Sequence, residues 1–257
     1  MSVYNGLPYL KEAVDSILNQ TYKNFEFVIV DDASKDRTWQ YLKSLNDKRI
    51  KLIKNPKNLG LAKSLNIALS KAKGEYIARM DADDICLPRR FEIQLDYMSK
   101  NPNTDICGSW VKLIDEKGEI IGQVHKPKND EKIKKMNHWI PGLIHPTWFA
   151  KRKVYDKLHG YDPDFDMVED FDFLNRAGDF KMTNINNELL LWRSAQNRRS
   201  KKDIQKMYQK SFHLRLKYFL KGNFGILYFP LLIRSFITTY LFPTKLKIYL
   251  NKKMGVA

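Results

Sequence analysis

The feature that most constrains this chain is the alternation, through its first hundred residues, of short apolar runs with segments that carry a single apolar stripe. Pro8 is followed by Leu10, Val14, Ile17 and Leu18, spaced for one buried face of a helix with proline near its first turn. Phe25 to Val30 is a nearly continuous apolar run that stops at Asp31-Asp32, as a strand buried on both faces does when it feeds a polar loop. Thr38 to Leu45 reads as a helix, Ile50 to Ile53 as a strand and Asn55-Pro56 as a turn. A further helix runs from Leu61 to Ala72 and is closed by Gly74, and Tyr76 to Met80 makes the next strand. Such alternation predicts a parallel sheet wrapped by helices, with ligands at the carboxyl ends of the strands.

After a helix opened by Pro88 the pattern changes. Asp105 to Ile114, the turn Asp115-Glu116-Lys117-Gly118, and Glu119 to Val124 predict an antiparallel extension. Residues 140–200 are mixed, with a helix starting near Glu169 and strands near Phe180–Ile185 and Glu188–Trp192. From residue 200 the chain turns basic and helical. The whole chain has 45 Lys and Arg against 29 Asp and Glu, a net +16, but residues 201–257 hold twelve of those cations and one acid, Asp203. This shift divides the chain into an α/β domain, 1–200, and a basic, apolar C-terminal helical segment, 201–257.

Composition excludes several classes. At 43% hydrophobic and 29% charged, the chain is neither disordered nor a repeat array. Cys86 and Cys107 have no CxxC spacing, and His125, His138, His145, His159 and His213 have no zinc-ligand spacing, so a disulfide framework and a zinc site are not expected. Asn5 and Pro8 interrupt any signal-peptide pattern, which predicts a cytoplasmic protein.

Three acidic segments carry the chemistry. Asp81-Ala82-Asp83-Asp84 follows a strand directly, and hard carboxylate oxygens there suit Mg²⁺ or Mn²⁺ shared with nucleotide phosphates. The same acids would also serve as caps of the next helix. Asp31-Asp32-Ala33-Ser34 ends another strand, where a carboxylate can hold a base imide or close a turn. Glu169-Asp170 opens a helix, and a carboxylate beside an acceptor hydroxyl can take its proton, although acids in a first helical turn also answer the helix dipole.

Tyr4-Asn5-Gly6, Gln20-Thr21-Tyr22, Val30-Asp31-Asp32-Ala33-Ser34, Asn58-Leu59-Gly60, Gly74-Glu75-Tyr76-Ile77, Asp81-Ala82-Asp83-Asp84, His145-Pro146-Thr147 and Glu169-Asp170 occur in that order. In this succession, over residues 2–195, the chain resembles the inverting family 2 glycosyltransferases. The resemblance implies the GT-A fold and transfer of a sugar from a nucleotide diphosphate donor, UDP in the first instance, to an acceptor hydroxyl. Asp32 is then expected at the nucleobase with Ser2 and Tyr4 beside it, and Asp81 and Asp83 at the ribose and the diphosphate. Asp83 and Asp84 are both candidate ligands of Mn²⁺ or Mg²⁺, Asp170 is the expected base, and Glu169 the expected acceptor contact. His145, in the His-Pro-Thr segment, is as readily a packing residue.

Two departures stand out. Met1-Ser2-Val3 leaves almost none of the apolar first strand that relatives carry, so the central sheet is expected to lack a strand. After Trp192-Arg193, relatives place a His where this chain has Ser194 to Arg199, leaving Arg198 or Arg199 to supply positive charge. In the tail, Phe224 to Phe242 is apolar but interrupted by Pro230 and Arg234, which favours attachment to an anionic membrane surface over a span. Peripheral placement at the inner membrane face would suit a saccharide or lipid-linked saccharide acceptor in envelope glycan synthesis. Two other classes compete: an inactive glycosyltransferase-like protein, from the shortened first strand, and a nucleic-acid binder, from the net charge. The cations lie outside the acidic rim and no nucleic-acid-binding motif is present, so no nucleic-acid partner is expected.

Overall fold

The computed structural model describes residues 1–194, 203–222, 225–244 and 246–247. In chain order the elements are β1 Ser2–Val3, α1 Leu10–Leu18, β2 Phe27–Asp31, α2 Thr38–Ser44, β3 Ile50–Lys54, α3 Leu61–Lys71, β4 Tyr76–Ala78, β5 Ile85–Cys86 and α4 Arg90–Lys100. There follow β6 Ile106–Ile114, β7 Ile120–Val124, α5 Asp130–Asn137, β8 Phe149–Lys151, α6 Arg152–Leu158, α7 Glu169–Arg176, β9 Met182–Arg193, α8 Ile204–Leu220 and α9 Phe229–Phe236, which runs on into a π-helical turn, Ile237–Leu241.

The strands form two sheets. β1, β2 and β3 are parallel, with Val3 opposite Asp31 and Val30 opposite Ile53. The second sheet has the order β4-β8-β6-β9-β5, with β7 paired to β6, and only β6 and β9 run parallel in it. This is the expected α/β GT-A arrangement, with the parallel part confined to three strands and one pair. The two strands expected at 180–185 and 188–192 are one, β9: Asn186 and Asn187 are exposed and slip the register against β6 between Ser109 and Trp110, and Leu189 slips it again before Val111. All five residues of β2 are buried, which explains its unbroken apolar run.

The strand expected to be missing is present in short form. β1 has two residues and forms an edge of its sheet, as β4 does of the other. Between β2 and β4 lies a cleft of about 660 Å³, lined by Phe27, Val28, Leu65, Ile77 and Ala78 among others. Glu26 closes one end by accepting the Gly74 N–H at 3.0 Å. The Met1 amine is buried at the cleft and donates to the Val28 carbonyl at 2.9 Å, and burial pushes its pKa down to about 5.

One core packs α1 against β2, through Leu10, Val14, Ile17 and Ile29; a second packs Trp148, Tyr155, Tyr161 and Phe173 behind β8. Arg90, fully buried, joins the strand edges by donating to the carbonyls of Arg79 at 2.8 Å and Trp148 at 3.3 Å. That contact fixes the strand end from which the acidic loop departs.

Candidate active site

Asp81, Asp83 and Asp84 converge: each offers a carboxylate oxygen within 4.8 Å of the others. An octahedral Mg²⁺ or Mn²⁺ holds oxygens at about 2.1 Å, so its opposing ligands lie roughly 4 Å apart. The hard, anionic donor set therefore fits such an ion with little adjustment. The three acids are not equivalent. Asp84 is wholly buried and accepts the Arg193 backbone N–H at 2.9 Å, whereas Asp81 and Asp83 are part-exposed. Arg193, also buried, donates its Nε to the Asp83 carbonyl at 2.9 Å and its Nη2 to Glu12 at 2.6 Å, bracing the acidic loop from the end of β9. Arg198 and Arg199 lie outside the described residues.

Asp170 and Glu169 stand in the first turn of α7. Burial raises the pKa of Asp170, and the nearby Asp81 charge adds to the rise while Arg79 opposes it. Glu169 goes further, to about 8, through burial first and the Asp170 charge second. Its Oε2 accepts the Met167 N–H at 2.7 Å, and its Oε1 faces His145 Nδ1 at 3.9 Å. The first turn of α7 and the acidic loop thus lie near enough for the charge of Asp81 to act on Asp170, and Arg79 acts on both. Its guanidinium is buried, pairs with Asp81 at 2.5 Å and acts on both Glu169 and Asp170.

Asp32 is buried like Asp84, at 3% exposure. Both its oxygens are engaged: Oδ1 accepts from Asn55 Nδ2 and the Leu59 N–H, each at 2.7 Å, and Oδ2 from the Gly60 N–H at 2.9 Å. Asp32 therefore shapes the Asn58-Leu59-Gly60 loop. Gly60 has φ +87 and lies so close to Asp166 that a Cβ would stand 2.8 Å from its carboxylate, so only glycine fits without displacement. Asp166 in turn accepts the Ala62 N–H at 3.1 Å and is three residues from Glu169. The 58–60 loop and the stretch that leads into α7 are thus joined through Asp166. Ser2 and Tyr4 flank the same strand end, Ser2 part-buried and Tyr4 44% exposed.

Four participants carry no local signal in the sequence: Arg79, Asp166, Arg193 and Lys126. Lys126 lies near enough to Asp170 for the carboxylate charge to act on it, against a burial that lowers its pKa. His145 is a packing residue in part: it is buried, its Nε2 lies 2.9 Å from the Tyr161 hydroxyl, and burial followed by the Arg79 charge keeps its pKa well below the usual histidine value.

Known proteins share this architecture. A mannosyltransferase, PcManGT from Pyrobaculum calidifontis, solved with GDP-Man and Mn²⁺, superposes with a TM-score of 0.64 at 19% identity over 93% of this chain and 68% of its own. S. aureus TarS 1-349 in complex with UDP-GlcNAc superposes at 0.65 with 18% identity, over 83% of this chain and 63% of that one. Identities so low carry the fold alone. In sequence, an uncharacterised glycosyltransferase of Methanocaldococcus jannaschii is 41% identical over 217 residues, 81% of this chain and 74% of the relative. The O-antigen biosynthesis glycosyltransferase WbnJ of Escherichia coli is 36% identical over 203 residues, 75% of this chain and 77% of WbnJ. The model of Glycosyl transferase family 2 matches residues 1–159, and the chain belongs to that family.

Proposed function

We propose that the protein transfers a sugar from a nucleotide diphosphate donor to an acceptor hydroxyl in one inverting displacement. The observation that carries this reading is the meeting of α7 with the acidic loop, which sets a carboxylate of raised pKa beside a divalent-cation donor set. Asp170 is the base: burial makes it a stronger proton acceptor than an exposed carboxylate, while the Arg79 charge favours its ionised form. Glu169, more reluctant to ionise, is suited to donate a hydrogen bond to the acceptor in its protonated form. Asp81, Asp83 and Asp84 would hold Mn²⁺ or Mg²⁺, which when bound supplies positive charge to a leaving diphosphate. Asp32 acts on the nucleobase side through the loop it orders, with Ser2 and Tyr4 at the same rim.

UDP-sugars are the first donors to try, since TarS was solved with UDP-GlcNAc, with GDP-Man next because the mannosyltransferase holds it. The name of WbnJ supports a place in envelope glycan synthesis. We place the enzyme peripherally at the inner face of the cell membrane, acting on a saccharide or lipid-linked saccharide. No helix among the described residues is long and apolar enough to cross a membrane. The test is a panel of nucleotide sugars with Mn²⁺, read by thermal stabilisation and by release of nucleotide diphosphate. One donor should stabilise the protein and be turned over, with the product anomer inverted by NMR. Binding without turnover by any donor and acceptor would favour an inactive relative instead.

A further inference from the structure

Helix α9 and the π-helical turn after it are built inside out. Their buried residues are Ser235 and Thr239, at 2% and 0% exposure. Ser235 Oγ accepts from Arg215 Nη1 at 3.0 Å, and the Thr239 carbonyl accepts from Gln205 Nε2 at 3.0 Å and Lys247 Nζ at 2.7 Å. The outward face carries Phe229, Ile233, Phe236 and Tyr240, each between 42% and 47% exposed. These positions recur every three or four residues and so form one continuous stripe. A helix that merely covers a protein turns such a stripe inward. Here the polar side is bonded to the body of the molecule, and the apolar stripe, though Phe229, Phe236 and Tyr240 rest one edge on Phe219 and Phe212 of α8, leaves nearly half of each side chain to the surroundings, as on a contact surface.

Charge identifies the occupant. Residues 201–257 hold twelve Lys and Arg and one acid, and Lys206, Lys221 and Arg234 are exposed on the helices described here. Arg234 stands directly beside Ile233, where its stem can lie along apolar surface while its head reaches an anion. A second copy of this chain would bring the same cationic excess against itself, which disfavours self-association. A nucleic acid would answer the charge and leave the aromatic stripe in water.

We propose that the Phe229, Ile233, Phe236 and Tyr240 face docks on an anionic lipid bilayer, the rings and branched chain entering the headgroup boundary and exposed cations of the tail, Arg234 first, pairing with lipid phosphates. α9 has eight residues, so it lies on the surface and does not span. Docking has a consequence for the site. Leu214 and Tyr218 of α8 pack on Val168 and Phe171, the residues flanking Glu169 and Asp170. The membrane-facing helices are therefore in contact with the element that bears the proposed base, which suits an acceptor held by a lipid anchor; that last clause rests on the transferase reading, and the docking itself does not.

Co-sedimentation of the full-length protein with phosphatidylcholine vesicles, with and without phosphatidylglycerol, tests this at low and high salt. The expected result is binding at least about tenfold stronger to the anionic vesicles, weakened by salt. Phe229→Ser with Phe236→Ser should reduce it by a further factor of about ten or more, with the far-UV circular dichroism of the folded protein retained. Equal binding by the wild type and the double variant would overturn the proposal. So would a wild type that sediments as a dimer and a double variant that is monomeric, since the stripe would then be a contact between copies. Release of nucleotide diphosphate in the absence of vesicles reports the catalytic reading separately: it is expected to be the same in both proteins.

Discussion

Arg79, buried, and Asp81, part-exposed, form an ion pair at 2.5 Å, and through it the acidic loop and helix α7 share one cation. Arg79 is the favourable charge acting on Asp170 and on Glu169, and it raises neither. Replacing it by Met should therefore move the acid limb of the pH profile of kcat/KM upward, because Asp170 would hold its proton to higher pH. Activity at neutral pH should fall by at least about tenfold. Arg79→Lys should recover part of the shift. An unmoved acid limb would remove Arg79 from the electrostatics of the base.

Asp170→Asn should lower kcat by about 10²- to 10⁴-fold, the range for loss of a general base. Thermal stabilisation by nucleotide sugar with Mn²⁺ should persist, since Asp170 is not among the converging donor oxygens. Loss of donor binding together with activity would mean that Asp170 shapes the donor site and does not act as the base.

Asp83 and Asp84 should separate on substitution by Ala. Asp84 is buried and accepts the Arg193 N–H, so its loss leaves an unmet donor and destabilises the metal-free protein by about 1–3 kcal/mol. Asp83 is part-exposed, so its loss should leave the metal-free Tm nearly unchanged and abolish the added stabilisation by Mn²⁺ with donor. Differential scanning with and without Mn²⁺ distinguishes the two outcomes.

Glu169 gives the folded protein a pH dependence of definite sign. Its pKa is raised to about 8 from an ordinary carboxyl value of 4.5, so between these values the folded state keeps a proton that the unfolded chain has released. Stability should then fall as pH rises through that window. Glu169→Gln removes the titration, so its Tm relative to wild type should be higher at pH 8 than at pH 5. A constant difference across the range would count against the raised pKa.

The acids at 31–32, 81–84 and 169–170 were legible because each closes a strand or opens a helix within a few residues of a clear apolar pattern. Arg79, Asp166, Arg193 and Lys126 were not, because what they touch lies far along the chain: Arg193 meets Asp83 and Glu12, and Asp166 meets the backbone of Ala62. The role of Asp32 was only half readable. Its place at a strand end is local, but its bonds to Leu59 and Gly60 depend on how a distant loop folds back. The sequence of β9 reads as two strands, whereas continuous pairing with β6 absorbs Asn186 and Asn187 as a slip in register. α5 drew no reading at all, being short and mostly charged, and stands because Ile133 and Asn137 are buried on it. In the tail, the apolar run was visible but its facing was not: only the bonds of Ser235 and Thr239 show which side turns inward.

The inward-pointing amine of Met1 has a practical corollary. A polypeptide fused ahead of it must depart through the space beside Val28, so the nature of the fused residues matters more than at a surface terminus. A hydrophilic affinity handle would be drawn across Phe27 and Ile77, and its polar groups would lose water without gaining partners. An apolar, β-branched leader would instead find the free edges of two strands to run between, and should leave the molecule harder to melt.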